Sequence, residues 1–158
     1  MILTYVAGGA AIFLGFLYVS SDPKLAMTLV TLLFAVVIGL LSWARHFLFW
    51  QEDAKRLDAA AQATYFFQWE VGFANGAFAV AGLLAVVFDW GVAAMAAVVL
   101  AYVMYLLQAA LLNGRRYFSG ESRKASRLWG SFLGNGAMCI LLAVISFWAL
   151  KESGLGPF

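Results

Sequence analysis

Few side chains in this 158-residue sequence could do chemistry. The foremost is Glu70, an acid inside a long apolar run, with Gln68, Asn75, Gln108, Asn135 and Arg45 as its polar company. A carboxylate so placed could handle a proton or a cation, because burial raises its pKa and a basic neighbour lowers it. Its plainer roles are an ion pair with Arg45 or a carboxylate wetted at an interface. Asn75 and Asn135 suit interhelical hydrogen bonds, and His46, beside Arg45, suits a membrane interface. Gln68 and Asn75 are seven residues apart and share a helix face, while Ser131, Asn135 and Cys139 form a stripe at spacing four. One cysteine and one histidine cannot build a zinc or iron–sulfur site from this chain alone. The sequence offers no nucleophile–base pair, phosphate loop or zinc spacing. It therefore predicts no enzyme activity, no catalytic residue, no metal and no cofactor.

The elements that position these groups follow from composition. Hydrophobic residues make up 65% of the chain and charged ones 11%, with mean hydropathy +0.90. A soluble domain needs about a quarter of its residues charged. The fold class is all-α integral membrane, one transmembrane domain with lipid as its main solvent. Runs long enough to cross a bilayer fall at about 2–19, 25–44, 63–88, 92–112 and 129–150, which predicts a bundle of five transmembrane helices. The first run lacks a basic n-region, so it reads as a retained span rather than a signal peptide.

Charge orients the bundle. With five spans, one side holds eight basic residues, namely Arg45, Lys55, Arg56, Arg115, Arg116, Arg123, Lys124 and Arg127. The other side holds Lys24 and Lys151. Retained loops carry the excess of Lys and Arg, so the N-terminus is predicted cytoplasmic and the C-terminus outside, in the cell inner (plasma) membrane. The basic segments 45–62 and 113–128 face the cytoplasm. Arg115, Arg116, Arg123, Lys124 and Arg127 are expected at lipid headgroups, at about 1 kcal/mol for each basic residue near an anionic surface. The modest basicity gives no reason to invoke nucleic acid.

Helix association in lipid rests on close packing of small residues. Ala7, Ala11 and Gly15 line one face of the first span, and Gly72 with Gly76 one face of the third. Ala93, Ala97 and Ala101 do so on the fourth, and Gly130 with Gly134 on the fifth. The second span is bulky, with a single Gly39, and is expected to face lipid or a partner. If the third, fourth and fifth spans pack together, Gln68, Glu70, Asn75, Gln108 and Asn135 converge, near Arg45, on a polar pocket open to the cytoplasm.

The run Phe66-Phe67-Gln68-Trp69-Glu70-Val71-Gly72-Phe73-Ala74-Asn75, continued by Gly76-Ala77-Phe78-Ala79-Val80-Ala81-Gly82-Leu83, resembles the signature of an uncharacterised membrane family, domain of unknown function 6790. Members of that family are small multi-span bacterial membrane proteins. The likeness extends from about Tyr65 to Asn113, and it implies that Gln68, Glu70, Gly72, Phe73, Ala74 and Asn75 are the positions of interest. It brings no activity with it. Family members carry acidic and histidine residues late in the fourth span, where this chain has Tyr105, Leu106, Leu107 and Gln108.

Together these features predict a non-catalytic integral membrane protein, a small accessory or structural subunit of a larger membrane complex. Its expected partners are membrane lipids and other membrane subunits, or further copies of itself. The alternative is a proton- or small-solute transporter or channel working through the pocket around Glu70. Against that alternative, the outer halves of the spans are nearly free of polar groups.

Overall fold

In lipid every backbone N–H and C=O must be satisfied within its own segment, so apolar runs of this length wind into helices. The computed structural model describes residues 2–52, 61–120, 125 and 127–155, and the regular structure among them is all helical. Helix α1 spans Ile2–Tyr18, α2 Pro23–Phe47, α3 Ala61–Val87, α4 Gly91–Phe118 and α5 Leu128–Glu152. Helices α2 to α5 are each long and apolar enough to cross a membrane, which makes four candidate spans among the described residues. Helix α1 is apolar but has only 17 residues, and stands apart from those four. Helix α4 runs past the expected end at residue 112 to Phe118, carrying exposed Arg115 and Arg116 on its last turn. Arg123 and Lys124 lie outside the described residues, as do residues 53–60 of the other basic segment and the side chain of Arg127.

Local chemistry sets the helix ends. Asp22 caps α2 by accepting a hydrogen bond from the Leu25 N–H at 2.9 Å, and Pro23 opens the helix where a missing N–H costs nothing. Helices α3 and α4 are joined by the turn Phe88–Trp90, tight enough to put Asp89 at φ 49° and Gly91 at φ 86°. Lys24 Nζ donates to Asp89 Oδ2 at 2.6 Å and so ties these two turns together at one end of the bundle. Both side chains are more than half exposed, at 57% and 60%, so water screens the pair. Lys24→Ala is accordingly expected to lower unfolding stability by less than about 1 kcal/mol, read as a nearly unchanged thermal midpoint in detergent.

Helix α2 is the hub. It packs against α1, α3, α4 and α5, and half of its span is buried against 28–33% for the other three. This corrects the expectation that the bulky second span faces lipid or a partner. The reason is large-on-small packing. Met27, Val30, Phe34 and Ile38 on α2 fill the space left by small residues on its neighbours. On α1 those are Ala7, Gly8, Ala11 and Gly15, all buried. A Cβ added at Gly15 would come within 2.9 Å of Val30 and Ile145 side chains. The middle of α2, Thr31–Ile38, is wound as π-helix, and so is Arg127–Gly134, which leads into α5.

Register follows from which residues meet. Along α1, Gly8 faces Ile38 and Gly15 faces Val30, so α1 and α2 are antiparallel. Gly130 meets Tyr5, Gly8 meets Met138, Gly15 meets Ile145 and Phe16 stacks edge-on against Trp148, so α1 runs parallel to α5. On α4 the small-residue ridge differs from expectation: Ala93, Ala97 and Ala101 are exposed. The buried face carries Ala96 with Met95, Val99, Tyr102 and Val103, and these four larger side chains offer more contact to α2 and α5 than alanine does.

Candidate functional site

The C-terminal part of α2, the N-terminal half of α3 and the facing stretch of α4 enclose a band of polar and aromatic side chains. Arg45 and His46 close the last turn of α2. Arg45 Nη2 stands 2.7 Å from His46 Nε2, and a guanidinium can only donate, so Nε2 is the acceptor. The proton of the neutral ring is then on Nδ1, which donates to Gln68 Oε1 on α3. Gln68 is 1% exposed, and its Nε2 has no hydrogen-bond partner among the described residues.

Two turns along α3, Asn75 repeats the pattern at greater depth. Its Nδ2 donates to the Val71 carbonyl at 2.7 Å, and its Oδ1 accepts from the Tyr102 hydroxyl at 2.6 Å. One amide thus joins α3 to α4. The Tyr102 ring is sealed between Phe34, at 5.0 Å between ring centres, and Phe78, at 4.9 Å. Below it Phe47 stacks on Trp43 at 5.6 Å and meets Trp69 and Phe73 at 4.9 and 5.2 Å.

Glycine permits the approach of α3 to α2. Gly72 lies against Phe47 and His46, and Gly76 against Trp43. At Gly39 the two backbones touch: a Cβ there would stand 2.9 Å from the Asn75 carbonyl oxygen. The face Gly39, Ser42, His46 on α2 therefore matches the face Gln68, Gly72, Asn75, Ala79 on α3.

No family model, curated protein or solved structure matches this chain.

The expected convergence divides in two. Arg45, Gln68 and Asn75 share the seam between α2 and α3, but Glu70 and Gln108 are exposed on the outer faces of α3 and α4. Asn135 is partly buried at the start of α5, which packs on α4 and α1, whereas α3 packs on α2 and α4. The hub helix accounts for the division, since α3 has turned its amide face toward α2. Residue 70 follows residue 68 by about 200° of helical turn, and so points away. Gly130 and Gly134 lie near Tyr5 of α1. Sequence reasoning left His46 at a membrane interface and passed over Tyr102. His46 is buried against Gln68, and Tyr102 is the largest fully buried side chain. The signal for Tyr102 was its place at spacing three and seven from Val99 and Met95, the inward face of α4.

Proposed function

We propose that this chain is a non-catalytic subunit of the membrane that works by helix–helix assembly. The observation that carries this reading is how the polar groups are spent. Two pairs inside the bundle close on one another, His46 on Gln68 and Tyr102 on Asn75, and serve to lock α2, α3 and α4 together. Glu70 and Gln108 face outward among apolar side chains, where another helix can reach them.

Helix α1 acts as a fifth span in this proposal. Its 17 residues are about 25 Å long at 1.5 Å per residue, and they lie alongside α5 between Gly130 and Trp148. Arg45, Arg115 and Arg116 fall at one end of the bundle and Lys24 and Lys151 at the other, which favours an inner membrane with the N-terminus cytoplasmic. The run from Gln68 to Asn75 further supports membership of the uncharacterised family named above, which supplies no activity. A solute path around Glu70 has less support, because Glu70 faces away from Asn75 and Tyr102.

Native mass spectrometry of the protein, gently extracted from its own membrane, tests assembly. The expected spectrum contains further subunits or copies in fixed ratio. A lone monomer in mild detergent overturns the reading.

A further inference from the structure

We propose that a second copy of this chain docks against the outer face of the α3–α4 hairpin, with Glu70 of each copy accepting a hydrogen bond from Gln108 of the other. The inference rests on the assembly reading above and names its partner and its surface.

Glu70 and Gln108 face outward within the apolar stretches of this hairpin, and neither makes a hydrogen bond or ion pair among the described residues. Glu70 lies 19 residues before Asp89 at the turn (89 − 70), and Gln108 lies 19 after it (108 − 89). Both are therefore about 28 Å from the turn, at one level of the membrane. The residues between repeat the match. Ala81 and Ala97 are each eight residues from Asp89, and Ala77 and Ala101 each twelve. Ala77, Ala97 and Ala101 are exposed and Ala81 is half-buried, so small side chains form level rungs that end in the acid and the amide.

A two-fold axis parallel to the helices preserves depth. It sets every rung of α3 on its own level of the partner's α4, and the contact repeats twice because such an interface is self-complementary. Charge chooses this pairing. Setting α3 on α3 would bring two carboxylates together, whereas Glu70 has only acceptors and the Gln108 amide supplies donors. Small side chains let the backbones close, which is what drives association in lipid. A carboxylate exposed within a span is costly until it finds a partner.

The test uses two full-length, differently tagged copies, co-expressed in membranes with Cys139→Ala in each so that only introduced thiols react. One copy carries Ala77→Cys and the other Ala101→Cys, and oxidation is read as a disulfide-linked product bearing both tags. That product is expected at least about tenfold above the yield for Ala77→Cys with Ala93→Cys, whose thiols are about 12 Å out of register and beyond disulfide reach. Glu70→Leu in both copies should lower the yield several-fold. Exchanging the pair, by Glu70→Gln with Gln108→Glu, should restore it. Equal yields whatever the register overturn the proposal. So does a cross-link from Ala101→Cys to a different protein, which leaves the assembly reading standing. Absence of any cross-link together with a lone monomer in the mass spectrum overturns both.

Discussion

Gly39→Leu is expected to be the most damaging single change in the bundle. A Cβ at position 39 would lie 2.9 Å from the Asn75 carbonyl oxygen, 3.0 Å from the Ala79 Cβ and 3.3 Å from the Ala79 nitrogen. Two of these atoms are backbone, which no rotamer change can move, so α2 and α3 must separate. Removing a glycine from a helix returns about 1 kcal/mol of propensity. Overpacking a close contact costs about 3 kcal/mol, and the leucine branch adds to it. The steric cost wins, and the shift displaces the backbone that holds Asn75 against Tyr102. A thermal melt in detergent followed by circular dichroism should show a clear drop, and an unchanged midpoint would refute the close approach. Gly9→Ala is the matched control, because nothing lies within 4 Å of its added Cβ. It should leave the melt unchanged or raise stability by about 0.5–1 kcal/mol.

Tyr102 presents a choice between two effects that substitution can separate. The hydroxyl bonds to Asn75, and hydrogen bonds between membrane helices average only about 0.6 kcal/mol. The ring is 0% exposed and packed between Phe34 and Phe78, and emptying a site of that size costs about 3 kcal/mol or more. Tyr102→Phe should therefore cost about 1 kcal/mol, the pair energy plus an acceptor left unpaired on Asn75. Tyr102→Ala should cost several times that amount. Chemical unfolding of both variants decides the matter, and equal losses would mean that the hydroxyl, not the ring, holds the junction.

How much of this was legible in the sequence depends on the solvent. Runs of apolar residues announced the helices, because length and composition are all that a bilayer demands. Spacing placed Gln68 and Asn75 on one face, and they do share the seam against α2. Which helix is central was not legible. In water a polar stripe marks the outside of a helix, but lipid is as apolar as a protein core, so the bulk of α2 suited a hub and a lipid-facing helix equally. The same ambiguity hid Tyr102, whose aromatic ring among Val99, Val103 and Met95 resembles ordinary filler. Glu70 was misjudged for a different reason. Its charge suggested the interior, yet a polar residue two places from Gln68 must sit on the far side of the helix.

The parallel run of α1 beside α5 has an evolutionary consequence. The first and last helices are neighbours, yet Ile2 and Glu152 lie at opposite ends of the bundle. With α1 crossing the bilayer as proposed, a second copy of Ile2–Glu152 joined directly behind the first would insert with the opposite orientation. Its arginine-bearing end would then share a side with Lys24 and Lys151 of the first copy, against the bias that orients membrane helices.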